Sequence, residues 1–218
     1  PLPEKSERLF YVQLDPETLR GMTPGEEPAE QLTRLDAETL LREKRGLRQA
    51  MMTGGSVTVT PERADLPPFY TDARYASADF FPMFAAPFRY GTGWSADDDA
   101  ASARVVVISS ELNERVFNGD NSVGKMLVIG GTPLRIAGVL GDWRLTPRFY
   151  DMNQGRFGMI EDVFVPFSTS RDLELARSGS MNCWGESSGD STALNAPCTW
   201  IQYWVELDGA GQAADYKT

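Results

Sequence analysis

The stretch RVVVISSELNERVFNGDNSVGKMLVIGGTPLRIAGVLGD (104–142) constrains the fold more than any other part of the chain. Val105–Ile108 is a continuous apolar run and reads as a buried strand. Ser109 or Ser110 then caps a helix, with Leu112 and Val116 on one face and Glu111 and Arg115 on another. Asn118-Gly119 ends that helix in the manner of a left-handed C-cap. MLVIGG and PLRIAGVL follow as two strands joined around Gly130-Gly131-Thr132, a hairpin signal. The order is therefore strand, helix, turn and hairpin.

That order decides what GDNSVGKM (119–126) can be. The stretch meets G-x-x-x-x-G-K-[ST], the phosphate-cradling loop, at every position except Met126. Such a loop joins a strand to a helix, so that backbone N–H groups and the positive helix end face the phosphate. Here the loop leaves the negative end of a helix and enters a strand. Met126 has no hydroxyl for magnesium, and Asp120 repels phosphate. Ser122-Val-Gly-Lys125 also fits S-x-x-K, but that motif needs Ser122 at a helix N-terminus, and neither S-D-N nor K-T-G occurs. The stretch reads as a chain-reversing connection whose glycines serve backbone geometry.

Composition removes further chemistry. With no histidine, Ser-His-Asp and Cys-His catalysis and His-based zinc sites are excluded. A net charge of −10 opposes a phosphate-tracking surface, so nucleic acid is not an expected partner. Among 31 acidic residues some pair will always look fit for carboxylate hydrolysis, and only geometry identifies such a site. Asp97, Asp98 and Asp99 lack calcium-loop spacing and read as a solvated turn. Cys183 and Cys198 flank a polar loop, which suits a disulfide in an oxidising compartment; two free thiols are the alternative. No apolar run approaches the ~20 residues of a membrane span. Beginning PLPEKSERLF without methionine and stopping at AADYKT, the sequence reads as a piece of something longer.

Elsewhere, 9–15 reads as a strand, 16–31 as a loop and 34–46 as a helix opened by Thr33-x-x-Asp36 and ending near Gly46. Alternation predicts strands around Val57 and Val59 and over 69–77. A short phenylalanine-rich helix follows Ser77, and 90–102 reads as a loop. Residues 141–162 look irregular, 163–167 and 200–207 look like strands, and 168–177 like a helix. Trp94, Trp143 and Phe149 lie in aromatic-rich loops and are candidate partner contacts, with core packing as the alternative.

The segment 104–140 resembles the MacB-like periplasmic core domain of FtsX-like ABC-transporter permeases. The resemblance rests on Val106–Ser109, Phe117-Asn118-Gly119, Gly124-Lys125, Ile129-Gly130 and Ile136-Ala137-Gly138-Val139. YASADFFPMFAAPFRYGTGWS and DVFVPFSTSRDL resemble further family segments, although GTGW stands where G-R-x-F is usual. The resemblance implies an α+β fold: a discontinuous porter-like α/β subdomain (1–89 and 159–218) with an inserted, strand-rich, Sabre-like subdomain (90–158). It further implies a non-enzymatic extracytoplasmic domain of an inner-membrane permease, facing an oxidising periplasm. No cofactor is then expected in this domain, because ATP binds a separate cytoplasmic ABC ATPase. The implied partners are the permease's own transmembrane helices, that ATPase, a periplasmic partner protein and a second copy in a dimeric transporter. The competing readings are a periplasmic carboxylate-dependent hydrolase and a free-standing ligand-binding protein.

Overall fold

A computed structural model of the chain describes residues 3–14, 29–143, 148–151, 160–184 and 189–216. Most of the loop expected over 16–31 therefore lies outside the described residues. So do 144–147 and 152–159 of the irregular aromatic segment and 185–188 of the cysteine loop. By its packing the chain divides into two compact units, one holding Met52–Ser178, the other Leu2–Met51 with Gly179–Thr218. The sequence reading drew an insertion at 90–158; the packing division falls inside a strand at one end and just after a short strand at the other.

In chain order the elements are β1 (Leu9–Tyr11), β2 (Leu32–Thr33), α1 (Arg34–Glu43), β3 (Arg48–Thr60), β4 (Phe69–Ala76) and α2 (Phe80–Met83). Next come β5 (Phe88–Gly91), α3 (Ala96–Ala100), β6 (Val105–Ile108), α4 (Ser110–Phe117), β7 (Met126–Ile129) and β8 (Thr132–Leu140). The last are β9 (Val163–Pro166), α5 (Phe167–Asp172), β10 (Arg177–Ser178), β11 (Asn182–Cys183), β12 (Cys198–Glu206) and α6 (Ala213–Tyr216).

The 52–178 unit is built on the segment that was most legible. Ser109 is the cap of α4, its Oγ accepting from the Leu112 N–H at 2.9 Å. Asn118 ends the helix with φ 54°, as its C-cap signal predicts. β7 and β8 form the hairpin, with Ile129 opposite Thr132 and the turn at Gly130 and Gly131. β8 then runs parallel to β6, β6 antiparallel to β9, β9 parallel to β4 and β4 antiparallel to β3. β7 also pairs with the far end of β3, through Val59↔Ile129 and Thr60↔Val128. The hydrogen-bonded path thus returns to its start and closes a ring of β3, β4, β9, β6, β8 and β7. Such closure removes free edges. β5 pairs with β8 outside this ring.

Several elements differ from expectation. β3 begins at Arg48 rather than near Ser56, because Gln49–Gly55 is buried on both faces and shows no alternation. α5 stops at Asp172 instead of continuing to 177. The chain turns away so that the Ala176 carbonyl accepts from the Ser56 N–H and from the Tyr75 hydroxyl. The loop expected over 90–102 contains the last residues of β5 and the helix α3. Ser95 and Asp98 supply a reciprocal capping box there, a Ser-x-x-acid signal that was legible.

A charged cluster is buried in this unit. Arg74 on β4 is wholly inaccessible. Its guanidinium pairs with Asp151 and Glu161, its Nε donating to Glu161 Oε1 at 3.0 Å. Arg148 donates to the same Glu161 oxygen at 3.1 Å, and the Tyr150 hydroxyl donates to Glu161 Oε2 at 2.7 Å. Burial alone would lower the affinity of Arg74 for its proton, but the charges of Glu161 and Asp151 outweigh it and hold Arg74 protonated. Burial and the Glu161 charge push the Tyr150 phenol well up.

The second unit is organised by β12, which is buried along its whole length. β1 pairs with it antiparallel, Leu9↔Glu206 through Tyr11↔Trp204, while β2 and β11 pair at its start. Glu206 is buried and receives Arg48 Nη1 at 2.8 Å and Lys5 Nζ at 3.4 Å. α1 opens on Thr33, as expected, but ends at Lys44 in the left-handed region rather than at Gly46. Gly46 serves close approach instead: a Cβ there would meet Val205 at 2.3 Å. Cys183 and Cys198, directly opposite on β11 and β12, form a disulfide.

Replacing Arg74 by methionine leaves Asp151 and Glu161 short of a buried countercharge. It is expected to lower the unfolding free energy by about 3–5 kcal/mol in urea titrations. The charge-balanced R74M/E161M variant should lose less than R74M alone, and an equal or larger loss would refute the ion-pair account. Opening the 15-residue disulfide loop by C183S/C198S should cost about 3 kcal/mol. Identical melting temperatures for oxidised and fully reduced protein would contradict this.

Candidate functional site

The aromatic residues singled out in the sequence converge on packing. Phe80, on α2, sits at the centre of edge-on contacts with Phe81, Phe84, Trp143 and Tyr150, at centroid distances of 5.1–5.9 Å. Trp143 stacks flat on Tyr150 at 5.7 Å and is only 7% exposed. Trp94 is 5% exposed and stands edge-on to Phe81 at 4.8 Å. Phe149 is half-buried against Phe84. Trp94 and Trp143 thus offer little surface to a partner as they stand, and their positions are those of core residues. Phe149 keeps part of its ring accessible.

GDNSVGKM folds as a connection between α4 and β7. Gly119 and Gly124 adopt φ of 77° and 86°, the left-handed region that side chains resist. The Ser122 hydroxyl is buried and donates to Asn113 Oδ1 at 2.6 Å, while Asn113 Nδ2 donates to the Asp120 carbonyl at 3.0 Å. The Lys125 ammonium lies over the Phe117 ring at 5.2 Å. Ser122 therefore ties the turn to α4 and has neither the helix N-terminus nor the lysine that S-x-x-K chemistry requires. The Asn113–Ser122 bond was not foreseen, since nothing in the local spacing marks it.

The aspartate run is not a solvated turn. It forms α3, and its three carboxylates have different surroundings. Asp97 is exposed. Asp98 Oδ2 accepts the Ser95 N–H at 2.8 Å, and this bond with the Ser95 hydroxyl holds its carboxyl below the usual range. Asp99 turns inward and accepts the Ala78 N–H at 2.6 Å. Burial pushes the Asp99 carboxyl up to about 7, opposed by the Ala78 N–H and the Trp94 indole and assisted by the negative charges of Asp79 and Asp98. Among the described residues no group of three or more Cys, Asp or Glu is arranged to hold a metal ion.

An open groove of about 490 Å³ lies between the start of α2 and the approach to α3. Ala78, Phe81, Pro82, Phe88, Trp94 and Ser95 are among the residues that line it. The groove therefore offers mainly apolar contact.

The chain matches the family described as MacB-like periplasmic core domain over residues 2–214. A pyoverdine export ATP-binding/permease protein, PvdT, of Pseudomonas putida is 29% identical over 74% of the chain. A macrolide export ATP-binding/permease protein, MacB, of Salmonella paratyphi A is 28% identical over 49%. The matched regions are 22% and 15% of those relatives' lengths, so the chain corresponds to a minor part of each. In three dimensions it is similar to the periplasmic region of MacB from Actinobacillus actinomycetemcomitans, with a TM-score of 0.59 at 15% identity, covering 98% of this chain and 81% of that one. It is also similar to the extracellular domain of the ABC-type transporter YknZ from Gram-positive bacteria, with a TM-score of 0.55 at 16% identity, covering 96% and 87%. With a mixed α/β, strand-rich fold shared with these structures and a family match along nearly its whole length, the chain belongs to the MacB-like periplasmic core domain family.

Proposed function

We propose that this chain is the extracytoplasmic domain of an ABC-transporter permease. In this reading it couples ATP hydrolysis in the cytoplasm to movement of a periplasmic substrate or partner protein. The observation that carries the reading is the family match over residues 2–214, and relatives named as export permeases support it. The antiparallel pairing of β1 with β12 adds a mechanical argument, because it holds the first and last strands of the chain side by side. Displacement delivered at either end then loads the same pair of strands. ATP belongs to a separate cytoplasmic domain or subunit, and the domain itself performs no catalysis. The natural context is the periplasmic side of an inner membrane, in a dimeric transporter with its own membrane helices. The division into a porter-like part and a Sabre-like part inserted at 90–158 is kept as part of this reading.

The carboxylate-hydrolase alternative is not favoured. Asp151 and Glu161 are buried and ion-paired with Arg74 and Arg148.

The full reading frame should encode one apolar span before Pro1 and three after Thr218, with an ATPase fused or encoded nearby. Alkaline phosphatase fused at Asp208 of the full-length protein should be active, and a fluorescent-protein fusion at the same position dark. The reverse pattern, or a frame without flanking spans, would sink the proposal.

A further inference from the structure

The groove beside α2 joins an apolar lining to negative charge. Phe81 and Trp94 are nearly buried, whereas Pro82, Ala85 and Ala96 are exposed and Phe88 is half-buried, so the accessible lining is apolar and mostly small. Gly93 adds to this: a Cβ there would meet the Phe81 ring at 2.6 Å, so the chain after β5 lies flush on that ring. Gly93 and Trp94 both come from GTGW, the segment that departs from G-R-x-F, with Thr92 where that pattern has its arginine. Asp79 is the one charged residue among those lining the groove, and its carboxylate is not spent on capping α2. Asp97 follows the lining residue Ala96 on α3 and is exposed. Asp98 is engaged by Ser95 and by the charge of Arg135, so Asp79 and Asp97 set the sign of the groove. Arg89 is the only basic residue from 78 to 96; it does not line the groove, and its guanidinium lies over the Tyr90 ring at 5.2 Å.

We propose that this groove is a binding site for a compact organic ammonium ion, its apolar body against Pro82, Phe88 and the alanines and its charge towards Asp79 and Asp97. Small-molecule sites are concave and chiefly apolar, with a few polar groups and roughly 300–1,000 Å³ of space, and a groove of about 490 Å³ falls among them. Eleven residues line it, against the roughly 20–30 per side of a stable protein interface, so its occupant is a small molecule rather than a protein. Carboxylates beside an apolar surface favour a cation over a neutral molecule of the same shape and repel an anion. The net charge of −10 draws cations towards the chain as a whole. Because water reaches the groove, the gain from charge is modest and the apolar body carries much of the affinity. This inference concerns the domain itself and stands whether or not the transporter reading does.

Three probes with one aromatic body test it: phenethylammonium, phenethyl alcohol and phenylacetate, each titrated into the isotope-labelled wild-type chain at neutral pH and low ionic strength. The ammonium should shift the Ala85, Ala86, Gly93 and Ala96 amide resonances saturably. It should bind about fivefold more tightly than the alcohol, the factor for a solvent-exposed ion pair, with phenylacetate the weakest of the three. Added salt should narrow the gap between ammonium and alcohol. D79N/D97N should remove most of that gap while leaving the affinity for the alcohol within about twofold of wild type. A96L, which fills the groove, should weaken both. Spectra of the variants that overlay on wild type away from α2 and α3 separate a lost site from a lost fold. An ammonium that binds no more tightly than phenylacetate, shifts that never saturate at these amides, or an ammonium affinity unchanged in both variants would overturn the site.

Discussion

β7 is bonded on both sides: Ile129 faces Thr132 of β8 along one edge and Val59 of β3 along the other. That double pairing closes the 52–178 unit, and much else depends on it. The Gly130-Gly131 turn directs β7 back along β8, and the connection through Ser122 fixes where α4 hands the chain over. Once the ring is closed, its strands have no free edges, and residues such as Val106, Ile108, Phe164 and Val165 are buried completely. Burial on both faces in turn explains why β6 and β9 read as unbroken apolar runs.

Each unit also encloses a charge that needs partners. Arg74 is met by two acids and a second arginine, whereas Glu206 is met by Lys5 and Arg48. Both arrangements join residues far apart in sequence, so they reward the native register and penalise others. A buried ion is costly unless its geometry is right, which makes such clusters better at specifying a fold than at stabilising it. In a domain proposed to carry mechanical load, the Glu206 cluster stands where the first and last strands meet.

The strand–helix–hairpin core at 104–140 was legible because its signals are local: a β-branched run, a serine cap, an Asn-Gly stop and a Gly-Gly turn. The family resemblance drawn from the same residues was confirmed by the match over residues 2–214. The paired cysteines were legible as a disulfide for a similar reason, with few other roles open to two cysteines around a polar loop. The aspartate run was misread. Charge density suggested solvent, while the Ser95-x-x-Asp98 spacing that makes it a helix was passed over.

The sequence by itself determined the helix caps, the turns, the strand β4, the exclusion of histidine chemistry and the family. These follow from contacts within a few residues or from composition, which a linear chain displays directly. Only the tertiary structure decided that β3 starts at Arg48, that α5 ends early so Ala176 can meet Tyr75, and that Trp94 and Trp143 are buried. It alone turned Asp99 away from Asp97 and Asp98 and brought its carboxylate to the Ala78 N–H. The reason is the same in each case: the deciding partner lies tens of residues away, and no local pattern records which distant backbone a side chain will meet.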